Sequence, residues 1–438
     1  MKRILIFVLV LLPILAFSQM QNIISQGNTA TTQRRILNSS IDSSLIKIRS
    51  ENTTNLITSL PYLNGSATVF CKTTNGTVLL EETTLSNLKV YDFQVLNGDI
   101  YFCGSSSYGS FIAWTSVNNM FSVNPQPITL QIICGVIKPF AVKELELYKW
   151  PDGIHVAALA DDIYLIDMNT ANPSTYQIIQ QNTTNNNTNR FRALSVGKDK
   201  IVTIESVNDT SIVVTAFDAG NISQYTYQGY THPELRYDKY VIENSMTNSD
   251  IFTFAYTHRL VTNNTWYKTD FATIDVSNTI NVINKQCLEV SEAKLEPIDL
   301  EFCIEDNTLL YLTNGHQGYD EIFQINHLMN IPCISISIQP LSLVSEKIKQ
   351  YNSIIRYDNY YFAAVANNLN LNGVIIFDCF RNSNSHLQCA KDFTEVLQNY
   401  NYLNNVSLTP NYINIQGNQN TVIINAVNNN GKYIPICQ

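Results

Sequence analysis

The sequence predicts an all-β chain folded as a β-propeller, most simply seven-bladed with four-stranded antiparallel blades, eight blades being the alternative. Three observations carry this expectation: a strand–turn–strand unit that recurs along the chain, Asn-Gly and Asp-Gly dipeptides at its bends, and a composition suited to pleated surfaces. Hydrophobic residues make up 45% and charged residues 14% of the 438 positions, enough apolar surface for a packed core. Aromatics reach 11%, mostly Tyr and Phe, and suit half-buried strands better than helices.

The recurring unit is cleanest at Phe93–Gly104, FQVLNGDIYFCG. Further copies begin at Leu147, Leu194, Ile242, Phe302, Ile354 and Ile413, a spacing of roughly 50 residues, in the range of propeller blades. Two-residue hairpin loops demand positive φ, which Asn and Gly accept at least cost. Asn64-Gly65, Asn75-Gly76, Asn97-Gly98, Asp152-Gly153, Asn314-Gly315, Asn372-Gly373 and Asn430-Gly431 all stand beside apolar runs. Third strands follow at 111–117, 163–168, 212–217 and 374–378, and fourth strands at 128–134 and 176–179. A parallel β-helix would repeat at about half this spacing, and tandem immunoglobulin-like sandwiches at about 100 residues.

Domain limits follow from the same pattern. Residues 1–18 have the layout of a secretory signal peptide: Lys2 and Arg3, an apolar stretch from Ile4 to Phe17, and small residues at Ala16 and Ser18. The expected mature chain begins at Gln19 and works outside the cytoplasm, secreted or periplasmic, with no span of the roughly 20 apolar residues a membrane helix needs. Residues 19–54 read as a polar arm able to supply a ring-closing strand, and 55–438 as the propeller. The hairpin within Ser66–Glu82 lies too close to the next copy for a full blade of its own, so it is expected to complete the last blade. Nine cysteines suit an oxidising compartment. Cys71, Cys103 and Cys303 sit in apolar strand patterns as buried thiols, and Cys379 to Cys389 is the nearest local pair.

The blade-like hairpin Asn97-Gly-Asp-Ile-Tyr-Phe-Cys-Gly104 and its degenerate copies resemble the blades of secreted bacterial β-propeller proteins. The resemblance covers roughly residues 60–438 as a repeat grammar, without WD, Kelch or YWTD signatures. Such propellers serve binding proteins, adhesins, lyases and glycosidases alike, so the likeness chooses no function.

Chemistry-bearing motifs are sparse. HExxH, GxSxG, phosphate-binding glycine loops and calcium loops do not occur, and neither cofactor nor metal is expected. With a net charge of −9 the chain is a poor fit to nucleic acid. Candidate binding residues are the loop groups Trp150, Tyr230, His232 and His316, the partner a glycan or a protein held at loop aromatics or the channel mouth. The alternative is a carbohydrate-active enzyme, glycosidase or lyase, in which carboxylates or His converge at the channel. The acidic pairs Asp161-Asp162, Glu305-Asp306 and Asp320-Glu321 are the candidates for that convergence.

Overall fold

In the computed structural model, residues 29–435 are described apart from connecting segments, the longest at 134–143, 182–189, 338–348 and 382–395. The first strand is β1 (Thr29–Ile36), and the chain then lays down sheets in succession. Sheet one is β2 (Lys47–Ser50), β3 (Asn55–Pro61), β4 (Ala67–Thr74) and β5 (Val78–Ser86). Sheet two is β6 (Leu88–Leu96), β7 (Asp99–Ser106), β8 (Gly109–Ser116) and, after the short helix α1 (Val117–Met120), β9 (Ile128–Ile132). Sheet three is β10 (Glu144–Trp150), β11 (Gly153–Leu159), β12 (Ile163–Asp167) and β13 (Thr175–Gln181). Sheet four is β14 (Arg190–Val196), β15 (Lys200–Val207), β16 (Ser211–Asp218) and β17 (Asn221–Thr231). Sheet five is β18 (Leu235–Asn244), β19 (Ile251–Leu260), β20 (Asn263–Asp275) and β21 (Asn281–Glu289). Sheet six is β22 (Glu296–Cys303), β23 (Thr308–Asn314), β24 (Asp320–Asn326) and β25 (Ile334–Ser337). Sheet seven is β26 (Lys349–Asp358), β27 (Tyr361–Asn368) and β28 (Val374–Arg381), completed by β1, which pairs antiparallel with β28.

The first strands β2, β6, β10, β14, β18, β22 and β26 touch in that order, and β26 returns to β2. Consecutive antiparallel strands running outward from a closed ring of first strands define a β-propeller. This architecture follows from side-chain alternation. In β7, Ile100 and Phe102 enter the core shared with sheet one, while Tyr101 and Cys103 enter the core shared with sheet three. Middle strands are therefore apolar on both faces, and β16 is buried along all but its last residue. The core between sheets one and two holds Phe70 edge-on to Phe93 and Phe102 at 5.5 and 5.8 Å, and Phe102 edge-on to Phe111 at 5.9 Å. Each such pair adds about 1 kcal/mol beyond the area it buries. Cys71 and Cys103 are buried thiols in this framework, while Cys389 lies outside the described residues.

The hairpin bends work as the dipeptides predict where they are described. Asn97 and Gly98 take φ of 54° and 82°, and Gly65 takes 70°.

Two features of the path correct the sequence reading. The Ser66–Glu82 hairpin lies in sheet one, whose first hairpin, β2–β3, has no Asn-Gly bend to announce it; sheet one thus begins at Lys47, inside the segment read as an arm, whose earlier strand β1 closes sheet seven. The apparent hairpin from Ile413 is not a hairpin. The C-terminal chain instead forms β29 (Val396–Gln398), β30 (Asn404–Val406), β31 (Tyr412–Asn418), β32 (Asn420–Ile424), β33 (Ala426–Asn428) and β34 (Tyr433–Pro435). These pair antiparallel, in turn, with the outermost strands of sheets five, four, three, two, one and seven. The tail is a belt that supplies a fifth strand to each of six sheets. From Tyr412 to Asn428 only single residues separate its strands, so the ribbon crosses three sheets almost fully extended.

Side chains pin the belt. Tyr412 packs against Phe191, Phe217 and Tyr225 at 5.9, 5.0 and 5.1 Å. Its hydroxyl donates to Glu205 Oε2 at 2.8 Å and lies 2.7 Å from Thr215 Oγ1. Further on, Asn428 Nδ2 donates to the carbonyls of Phe121 and Ser122 at 3.1 and 3.0 Å, capping the end of α1.

Gly104 sits in β7 where β6 bulges between Val90 and Asp92. A Cβ there would strike the Lys89 carbonyl oxygen and approach Val90 Cα to 2.9 Å, both backbone atoms. Gly104→Ala is expected to cost about 3 kcal/mol, whereas Gly98→Ala, with open space around it, loses about 1 kcal/mol to its left-handed backbone alone. Urea unfolding midpoints of the two variants check the order.

Candidate functional site: the polar ring of first strands

First strands face the axis of the ring, and a polar side chain on that face meets its counterparts from other sheets. The chain places Arg49 on β2, Asp92 on β6, Glu146 on β10, Asp299 on β22 and Ser353 on β26. Most of these strands are bulged beside the polar residue, at Val90/Asp92, Pro297/Asp299 and Tyr351/Ser353, with further bulges at Phe191/Ala193 on β14 and Tyr237/Tyr240 on β18. A bulge inserts one extra residue and re-aims its neighbours, so the side chain is turned without breaking the sheet.

The bonds run from sheet to sheet. Arg49 Nη2 donates to Asp92 Oδ1 at 3.1 Å and Arg49 Nε donates to Gln94 Oε1 at 3.2 Å, joining sheets one and two. Asp92 Oδ1 also accepts the amide of Phe93 at 2.8 Å. Ser353 Oγ donates to Asp299 Oδ2 at 2.8 Å, the amide of Ile354 reaches the same oxygen at 3.2 Å, and the amide of Ile48 donates to Ser353 Oγ at 3.3 Å. Sheets six, seven and one are thereby linked through two side chains. Asp92 is 2% exposed, so it depends on Arg49; removing the guanidinium would leave a buried, half-solvated charge, at a cost of about 3–5 kcal/mol.

Glu146 differs from its neighbours. Its side chain is partly accessible yet ringed by protein. Burial pushes its carboxyl up to about 8 and the charge of Asp92 adds to this, Arg49 and Lys47 pull the other way, and Asp299 adds a smaller push. At neutral pH Glu146 therefore carries a proton beside Asp92, which is bonded to a guanidinium.

A second raised acid, Glu205, belongs to the belt. Burial pushes it up to about 7 against the opposing hydrogen bond from Tyr412. Burial and the neighbouring Glu205 raise the Tyr412 phenol as well.

The residues singled out from sequence fall elsewhere. Tyr230 is 1% exposed and packs in the core between sheets four and five, where burial pushes its phenol up to about 12; its ring fills the core and is not a loop platform. Trp150 ends β10 opposite Gly153. His232 and His316 lie outside the described residues, in the β17–β18 and β23–β24 connections. Strand alternation ends β17 and β23 on one face of the ring and β10 on the other, so Trp150 does not share a face with either flanking strand. Asp320 and Glu321 lie on β24, a third strand away from the axis. Asp162 precedes β12, and Asp161, Glu305 and Asp306 lie outside the described residues. The acids that do converge carried a readable mark. Each stands between two apolar residues of a first strand, as in Leu145-Glu146-Leu147 and Ile298-Asp299-Leu300, a pattern that Leu300-Glu301-Phe302 shares.

Among the described residues no group of three or more His, Cys, Asp or Glu is arranged to hold a metal, and no helix is long and apolar enough to cross a membrane.

No family model matches the chain, and no curated protein sequence matches it. Solved structures similar to it include the Nup133 β-propeller domain of Vanderwaltozyma polyspora, 9% identical, covering 80% of this chain and 98% of that one with a TM-score of 0.44. The WD40 domain of SCAP from fission yeast is 11% identical, covering 81% of this chain and 99% of that one, TM-score 0.43. A protein of unknown function from Dyadobacter fermentans is 9% identical over 81% of this chain and 99% of that one, TM-score 0.42. The propeller assignment stands on the strand order and ring closure of this chain itself.

The raised acids set a pH dependence. A carboxyl whose folded value is raised binds its proton more tightly when folded, so the stability it contributes is complete below 4.5 and is lost as pH rises. The loss runs to about 8 for Glu146 and to about 7 for Glu205. Glu146→Gln and Glu205→Gln should each flatten their part of that fall, read as the urea midpoint from pH 4.5 to 9.

Proposed function

We propose that this protein is an exported, non-catalytic interaction module, akin to the secreted propellers its hairpins resemble, that docks a protein partner on the face where the second strand of each sheet ends. One observation carries this reading. On neighbouring sheets one and two, the turns after the second strands hold large apolar side chains out in water: Leu63 is 60% exposed and Tyr108 is 63% exposed. Both turns are held by local hydrogen bonds. The Gly65 amide donates to the Tyr62 carbonyl at 2.9 Å, and the Ser66 amide to Asn64 Oδ1 at 3.0 Å. In the other turn the Tyr108 amide donates to Ser106 Oγ at 3.1 Å, and Gly109 takes a φ of 123°. A pre-ordered aromatic and a pre-ordered aliphatic group lose little entropy on docking and suit the anchors of an interface. Beside them Lys89 pairs with Asp42 at 2.6 Å, and burial, which would raise the Asp42 carboxyl, is outweighed by Lys89 and Ser44, which hold it below its usual value. That ion pair forms part of a polar rim. Export is supported by the leader-like residues 1–18, with the mature chain starting at Gln19.

A second reading is favoured by the ring of first strands. There Glu146, its carboxyl raised by burial, lies close enough to Asp92 and Asp299 to feel both, and a pair of carboxyl groups is what a glycosidase requires. Against it, Asp92 and Asp299 are already engaged in bonds that join sheets.

The full-length protein, expressed with its leader, is the material for the test. Mass spectrometry of the mature N-terminus should find Gln19. A Leu63→Ser/Tyr108→Ser variant should lose at least tenfold in affinity for a protein captured from the same compartment, at unchanged unfolding midpoint. Undiminished capture would overturn the docking face. Turnover of a glycan that disappears in Glu146→Gln would move the assignment to the second reading.

A further inference from the structure

The belt leaves strands of its own at the rim, and the one over sheet two is unlike an ordinary protein edge. Strand β32 is the outermost strand of that sheet, in the order β32-β9-β8-β7-β6. Val422 and Ile424 turn inward against the core shared by sheets one and two. Ile423 turns outward and is 69% exposed. Also exposed are Val427, 52% on β33 of the next sheet, and Val123, 84% in the β8–β9 connection that Asn428 holds. Natural sheets guard such edges with Lys, Pro or other charges, because an open row of amides and carbonyls pairs with any strand it meets. Here the guard is missing from both sides. No Asp, Glu, Lys, Arg or His occurs from Ile100 to Ile137, which covers β8, α1, β9 and all but the first residue of β7. None occurs from Val396 to Gly431, which covers the belt from β29 to β33, and β31 to β33 contain no Pro.

We propose that this wall is where a second copy of the chain docks, the two β32 strands pairing antiparallel across a two-fold axis. The charge distribution selects a second copy. With −9 on each chain, two molecules repel over most of their surfaces, and this wall lets them approach with no like charges opposed. An isologous contact also needs a surface complementary to itself. An antiparallel pair centred on Val422 provides one, setting Ile423 of one copy opposite Thr421 of the other on the exposed face. The alternating β32 pattern meets itself in register, and the two five-stranded sheets continue as one.

The test is sedimentation velocity of the full chain over a hundredfold concentration range. The expected result is a species of twice the chain mass. Ile423→Lys puts a like charge at the centre of the contact, and Thr421→Lys does so from the opposing position. Each should shift the association midpoint at least tenfold toward monomer, with the unfolding midpoint, extrapolated to the monomer, unchanged. Ile283→Lys, on an aliphatic residue 49% exposed on sheet five, should leave the dimer intact. A wild-type chain that stays monomeric at the highest concentration would overturn the proposal, and so would a dimer that survives both Lys variants. Equal dissociation by Ile283→Lys would overturn it as well, since the contact would then lie elsewhere.

Discussion

A β-sheet has to dispose of its last row of backbone amides and carbonyls, and this chain's course is set by that requirement. The seven sheets among the described residues radiate from a ring and give seven outward edges. Among the described residues the chain itself covers six of them and moves the open row out to the belt: the tail pairs with the fourth strands of sheets one to five, and with β1, which already closes sheet seven. The ring is therefore latched at both ends of the chain. Strand β1 joins the N-terminal segment to the last sheet, and the belt ties successive sheets to one another from outside. Sheet six is the one that carries no belt strand among the described residues.

The inside of the ring meets the opposite problem. First strands crowd toward the axis, where polar side chains from different sheets meet. Polar groups there must be bonded, since a buried donor or acceptor without a partner costs about 1–3 kcal/mol. The bonding found is between sheets: Arg49 to Asp92, Ser353 to Asp299, and the Ile48 amide to Ser353. The same groups that make a channel look like an active site also hold neighbouring sheets in phase. Glu146 is the member of this ring whose carboxyl burial and Asp92 push up to about 8.

Between these two boundaries, packing is repetitive. Cores alternate from sheet to sheet because successive side chains on each middle strand point opposite ways. The belt enters this scheme through a few specific anchors: Tyr412 in its aromatic box, and Val422, Ile424 and Ala426 against the core of sheets one and two. Its remaining strand residues are uncharged, mostly a mixture of Asn and Gln with aliphatic Ile, Val and Leu.

By itself the sequence determined the local grammar. Asn97-Gly98 specifies positive φ at two successive positions and therefore a hairpin, and the spacing of such hairpins specifies four strands per sheet. These are short-range consequences of backbone sterics and side-chain alternation, so they are legible residue by residue. Which strand pairs with which edge was decided only by the tertiary structure. INIQGNQNTVIINAV reads locally as a hairpin, yet β31 and β32 lie on different sheets, because open edges on sheets three and two offer each strand a partner that folding back would not. The same holds for the site. Asp92, Glu146, Asp299 and Ser353 are far apart in the chain, and only closure of the ring sets them around one axis, while Tyr230, placed by sequence in a loop, is drawn into the core because sheet five packs over it.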